Sequence, residues 1–224
     1  NFDPVLREKI RKDNGLDEDT IVFVYTGRLS KQKNINELIS VFSKYVAFEK
    51  RKPLLYLAGP FDNIGTPFLG YISKERYEES CQRLITSLQD SPITKDKVIY
   101  LGNLGSDKLK QIYNAADVFV SMSVHNDEDF GMSPAEAICT GLPAILSDWA
   151  GYASFKNAHS DNACTLIEVE IAEGSVEFNK TELIHTLLEM SDSLEEKREN
   201  RKKLAQLNQS NFSIESTKNK ILAI

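Results

Sequence analysis

The chain has 224 residues, 41% of them hydrophobic, and carries 33 acidic against 27 basic side chains, a formal net charge of −6. That length can bury a full core and fits one domain, while the acidic balance excludes the broad Lys/Arg face that a nucleic-acid footprint requires. Cys81, Cys139 and Cys164 are odd in number and widely spaced, which suggests neither a disulfide framework nor a zinc site and fits a reducing cytosol.

Residues 1–18 read as a linker and first helix. Ile21-Val22-Phe23-Val24-Tyr25 is then a continuous apolar run of strand length, as a strand buried on both faces requires. A helical pattern over 35–50 follows, then a strand over Leu54–Leu57. The stretch from Gly59 to Gly70, with two prolines, reads as a mobile loop over a pocket. Helix 73–89, strand Val98–Leu101, helix 106–116, strand Val118–Val120, helix 133–140 and strand Ala144–Leu146 continue the alternation, with a sixth short strand near Cys164–Val169. Strand, helix, strand repeated in this way predicts an α/β fold, a doubly wound, Rossmann-like parallel sheet.

Beyond residue 178 the pattern is a helical tail: Thr181–Met190, Ser193–Leu207 and Ser213–Ile224. The basic cluster from Lys197 to Lys203 lies in this tail beside Glu195 and Glu196, and is read as a solvated helix face, with contact to an anionic membrane as the rival. No apolar run approaches the roughly 18 residues of a membrane span, and no signal-peptide pattern opens the chain.

In open α/β sheets ligands bind beyond the carboxyl ends of the strands, and five loops converge there. They carry Arg28 and Lys33, Gly59 and Pro60, Gly102 and Asn103, Ser123 to Ser133, and Ser147 to Gly151. Gly131-Met132-Ser133-Pro134 opens a helix, whose start presents free N–H groups to an anion. Cations such as Arg28 and Lys33, aimed at phosphate oxygens where negative charge develops, lower a transfer barrier and stand in for a metal.

The set in order, Gly27-Arg28-Leu29 with Lys33 five residues after the arginine, then Ala58-Gly59-Pro60, then Glu128, seven residues and Glu136, resembles the nucleotide-sugar-binding half of the retaining glycosyltransferases of family four, of GT-B architecture. This chain has Asp129 where the family usually has glycine. The resemblance implies a nucleotide diphosphate sugar as donor, no metal cofactor, and sugar transfer to a glycan or other acceptor with retention. Arg28, Lys33 and Glu128 take the catalytic positions, Glu128 approaching the donor sugar, and Glu136 holds the ribose. Gly27, Gly59, Asn103, Phe130, Gly131, Met132 and Ser133 complete the nucleotide contacts.

The family has two such halves, so an N-terminal acceptor-binding domain is expected upstream, and Asn1-Phe2-Asp3-Pro4, with no initiator Met, reads as the linker leading from it. A cytoplasmic enzyme of polysaccharide biosynthesis is expected, peripheral to the inner face of the membrane if it associates with one, and inactive as this half alone. A GT-B epimerase or phosphorylase, or a non-catalytic sugar-nucleotide sensor, are the rival readings.

Several residues carry second readings. Ser133-Pro134-Ala135-Glu136 fits a capping box with Ser133 at N-cap and Glu136 reaching back, an alternative to ribose binding. Asn34-Ile35-Asn36-Glu37 fits a similar box, and there Glu37 is assigned to capping alone. His125 reads as structural or gating rather than as a base, Asp127 and Asp129 as bystanders in a loop that matches no calcium-binding spacing, and Trp149 as either edge packing or a stacking platform.

Overall fold

A computed structural model of the protein describes residues 2–62, 73–124, 128, 130–158, 164–172, 175–211 and 218. In chain order the elements are α1 (Pro4–Asp13), β1 (Thr20–Thr26), a 3-10 turn (Lys31–Lys33), α2 (Ile35–Val46), β2 (Lys52–Ala58), α3 (Lys74–Ser87), β3 (Val98–Tyr100), α4 (Ser106–Ala115) and β4 (Val118–Ser121). They continue with α5 (Met132–Cys139), β5 (Ala144–Ser147), α6 (Phe155–Ala158), β6 (Cys164–Ile167), β7 (Val169–Ala172), β8 (Ser175–Phe178), α7 (Lys180–Asp192) and α8 (Leu194–Asn211).

Six strands form one parallel sheet in the order β3-β2-β1-β4-β5-β6. All seven residues of β1 are buried, as expected of a central strand covered on both sides. Alternate β1 side chains feed two cores. Ile21, Phe23 and Tyr25 pack toward α2, α3 and α7, and Val22 and Val24 toward α4 and α5. On the first face Phe23 meets Phe42 and Tyr45 edge-on, with ring centroids 5.6 and 5.5 Å apart, the geometry that aromatic quadrupoles favour. The chain runs outward from β1 through β2 to β3, then returns to place β4 on β1's other side. The β1/β4 boundary is therefore the topological switch point, where a crevice opens at the carboxyl ends.

The sixth strand stops at Ile167 rather than Val169. After Glu168 an antiparallel hairpin, β7 with β8, replaces the expected continuous run. The helix expected over 35–50 ends at Val46, and the terminal segment Ser213–Ile224 and most of the Gly59–Gly70 loop lie outside the described residues.

At the opposite, amino-terminal edge of the sheet, Asp117 just before β4 is buried among arginines. Its carboxylate accepts from Arg7 at 2.5 Å, Arg11 at 3.1 Å and Arg198 at 3.0 Å, and from the Val22 N–H at 2.9 Å. Burial alone would raise its pKa, but the three guanidiniums hold it down at about 2. Arg201 is buried beside them and donates to the carbonyls of Tyr113, Ala116 and Thr140. This corrects the expectation for the Lys197–Lys203 cluster. Arg198 and Arg201 turn inward to fasten α8 to the sheet, Arg198 on Asp117 and the Glu18 and Thr20 carbonyls, and Arg201 on carbonyls left over at the ends of α4 and α5; Lys202 and Lys203 do face solvent.

Candidate functional site

At the carboxyl edge the loops after β1, β2 and β3 are laced together by backbone. The Gly27 N–H donates to Ala58 O at 3.0 Å and the Gly59 N–H to Gly102 O at 2.8 Å. A Cβ placed on Gly59, whose φ is +144°, would lie 1.8 Å from Gly27 O, so only glycine allows the two loops this approach. Leu29 N–H donates to Pro60 O at 2.8 Å and Asp62 N–H to Leu29 O at 3.0 Å, which continues the lacing outward. The Tyr25 hydroxyl, deep in the core, donates to Arg28 O at 2.7 Å and fixes the loop from below. Burial pushes the pKa of Tyr25 up, with the nearby Tyr152 and the charge of Glu128 adding to it, so it stays a neutral donor.

Across the switch point the loop after β4 comes back to the loop after β1. Lys33, on the 3-10 turn, is ion-paired to Glu128, both side chains only 12% exposed. Glu128 also accepts from the Ser123 hydroxyl at 2.7 Å, while its carbonyl accepts the Gly151 N–H at 2.7 Å. Glu128 thus ties together the loops after β1 and β4 through its carboxylate and the loop after β5 through its backbone carbonyl. Asn34, in left-handed conformation at φ 52°, donates its side-chain amide to Met122 O at 2.8 Å. Arg28 lies farther out, 43% exposed, and pairs with Asp62 at 2.8 Å.

Helix α5 begins one residue before the expected Ser133, at Met132, with Gly131 (φ +80°) as N-cap. This removes the capping box: Pro134 is the third helical residue, no side chain caps the helix, and Glu136 sits in its second turn, exposed, accepting from the Tyr113 hydroxyl at 3.2 Å. Among the described residues no side chain caps the Met132 and Ser133 N–H groups. A Cβ on Gly131 would come within 2.8 Å of the Tyr152 ring and 2.9 Å of Pro134, so glycine is required here by the fold itself rather than by close approach of a ligand. The box at Asn34 fails likewise: Asn34 makes no cap and Glu37 pairs with Lys180 at 2.8 Å.

The structure therefore brings Gly27, Gly59, Lys33, Glu128, Gly131 and Ser133 together; Ser133 Oγ lies 3.7 Å from the position a Gly27 Cβ would take. Asn103 stands exposed in the bend after β3, at the same edge. Phe130 and Met132 are 46% and 66% exposed, Phe130 tilted against Phe155 at 5.9 Å. Trp149 is partly buried, and His125, Asp127 and Asp129 lie outside the described residues. Three tyrosines were not singled out from the sequence, namely Tyr25, Tyr113 and Tyr152, whose hydroxyls underlie the site. Tyr25 belongs to the apolar run of β1, Tyr113 to α4 and Tyr152 to the turn after β5, and nothing in their sequence pattern sets them apart from packing residues. No group of three His, Cys, Asp or Glu side chains that could hold a metal occurs among the described residues.

The family model described as "Glycosyl transferases group 1" matches residues 6–206. The chain belongs to that family. Among relatives, an uncharacterized glycosyltransferase of Methanocaldococcus jannaschii is 32% identical over 146 residues, 64% of this chain and 32% of that protein. A sulfoquinovosyl transferase of Arabidopsis thaliana is 26% identical over 67% of this chain and 24% of that protein. The chain thus matches about a third or less of these relatives' length. Among solved structures, Anabaena HepE in complex with UDP superposes with a TM-score of 0.69 at 18% identity, over 99% of this chain and 52% of that one. Sucrose-phosphate synthase from Thermosynechococcus elongatus gives 0.67 at 21% identity, over 99% and 49%. These likenesses establish the fold, a Rossmann-like half of the GT-B architecture. Among the described residues no helix of this group 1 chain is long and apolar enough to cross a membrane.

Proposed function

We propose that this chain is the C-terminal, donor-binding half of a retaining glycosyltransferase and that the switch-point crevice holds a nucleotide diphosphate sugar. The observation that carries the reading is the meeting of Lys33, Glu128 and the uncapped start of α5 over the glycine-laced loops. Arg28 and Lys33 supply cations, and Met132 and Ser133 supply N–H groups, to the diphosphate; their charge serves without a divalent metal. Glu136, freed of a capping role, takes the ribose hydroxyls, Asn103 edges the nucleotide, and Glu128 faces the sugar. That HepE and sucrose-phosphate synthase share the fold, the former solved with UDP, supports this assignment.

Transfer would take place against an N-terminal acceptor half, by a same-face displacement in which negative charge accumulates on the leaving diphosphate. Protein cations positioned for that charge lower the barrier more than they tighten substrate binding. The test is calorimetry of the 224-residue chain with UDP, GDP and ADP, with and without EDTA. Binding of at least one of them, unchanged by EDTA, is expected. No binding below millimolar, or binding abolished by EDTA, would overturn the assignment.

A further inference from the structure

Both cations assigned to the diphosphate are paired with a carboxylate of the same chain, Lys33 with Glu128 and Arg28 with Asp62. Asp62 is not a chance neighbour of Arg28. It follows Phe61, which is 7% exposed and packs against Tyr100 and Tyr77 with ring centroids 5.1 and 6.4 Å apart. Its own backbone is laced to the arginine's loop through the Asp62 N–H to Leu29 O bond and the Leu29 N–H to Pro60 O bond, with a parallel bridge between Leu29 and Phe61. The carboxylate is thus held by a core-anchored segment on a different loop from the arginine it meets. A guanidinium has five donors in one plane, and of those of Arg28 Nη1 donates to Asp62, at 2.8 Å.

We propose that Asp62 is a positioning residue for Arg28 that also competes with the donor's diphosphate for the guanidinium. The inference rests on the proposed diphosphate site. An arginine otherwise loses rotamer freedom when it binds an anion; pairing with Asp62 removes that freedom beforehand and keeps the guanidinium at the rim of the crevice. The same pairing places a negative charge beside an incoming anion and engages one of the guanidinium's donors. Asp62 therefore lowers ground-state affinity for diphosphate while preparing Arg28 for the charge that develops later, the division that favours turnover over tight binding.

Calorimetry with inorganic pyrophosphate in EDTA, on the 224-residue chain, tests this without activity or a choice of nucleotide. Removing one unit charge a few ångströms from the anion corresponds to roughly a fivefold change in affinity. Asp62→Asn is therefore expected to bind pyrophosphate roughly fivefold more tightly than the parent at unchanged Tm, and Arg28→Gln/Asp62→Asn to bind no better than Arg28→Gln alone. Asp62→Ser serves the same purpose should the Asn variant fold poorly. A purely structural role would lower Tm and weaken binding, and would overturn the inference. Unchanged affinity in Asp62→Asn, with Arg28→Gln still weakening binding, overturns the Asp62 inference and leaves the clamp standing. An equal gain in the Arg28→Gln background means simple repulsion and overturns the positioning role. No pyrophosphate binding by the parent overturns the clamp and this inference together.

Discussion

The two edges of the sheet solve the problem of a charged group in opposite ways. At the amino-terminal edge Asp117 is fully buried and surrounded by three guanidiniums and a backbone N–H; its partners come from α1, α8 and β1. At the carboxyl edge Lys33 and Glu128 form a single pair between loops, beside an uncapped helix start, and Arg28 keeps donors that Asp62 does not engage. A carboxylate whose partners are complete fastens helices to the sheet. Cations held by one partner each, on loops at the switch point, remain available to an anion. Residue type is the same at both edges, and what differs is how many partners the fold has supplied.

The largest expected effect breaks the buried side of this comparison. Asp117→Ala leaves Arg7, Arg11 and Arg198 facing one another without their counter-ion, and removing one partner of a buried ionic group costs about 3–5 kcal/mol. Urea denaturation should show a loss of this size, with α1 and α8 released first. Next comes the open side. In the protein with its acceptor half, Lys33→Ala should lower kcat by roughly 10²-fold, as when one preorganised donor is lost, while the loss of stability, for a pair that is itself largely buried but has one ionic partner rather than three, stays well below that of Asp117→Ala. A comparable loss of stability there would erase the distinction between the edges.

The third prediction is a pH dependence. The folded pKa of Asp117, held at about 2, lies below its ordinary 3.8, so the ionised form favours the fold. Its contribution, roughly 2 kcal/mol, is complete above pH ~4 and disappears as pH falls through ~2. Urea midpoints measured across that range should fall for the parent and be nearly flat for Asp117→Ala, apart from the other carboxylates. The smallest effect sharpens the role of Glu136. With no cap to make, Glu136→Gln should leave Tm unchanged and raise the donor KM by roughly threefold to tenfold with kcat intact, the signature of a contact equal in ground and transition states. A fall in Tm with KM unchanged would restore the capping role instead.

The sheet was legible because parallel strands buried on both faces have to be written as continuous apolar runs, and Ile21–Tyr25, Leu54–Leu57 and Val118–Val120 are such runs. The β7–β8 hairpin was not, since its alternating Glu170 and Glu177 disguise half-exposed strands as loop. Lys33 and Glu128 were singled out by the family resemblance and prove to touch. The helix start was misjudged at Ser133, and the cap but not the start at Asn34, because a capping box is a local signal, whereas Gly131 and Asn34 in left-handed conformation begin those helices for tertiary reasons. Arg198 and Arg201 were misread because charge on a helix defaults to solvent, and nothing in the sequence shows which carbonyls at the far side of the sheet lack donors. Asp62 escaped notice because its partner lies 34 residues away on another loop.

The central claim is that the carboxyl-edge crevice, and not the arginine-lined opposite edge, is the anion site. The direct measurement is a backbone-amide NMR titration of the 224-residue chain with UDP in EDTA, repeated with inorganic pyrophosphate. The account predicts shifts at Gly27 to Lys33, Gly59 and Gly131 to Ser133 with both ligands, and none at Val22, Asp117 or Arg201. Shifts centred on Asp117 and the α1/α8 face, or none in the glycine-laced loops with either ligand, would contradict it.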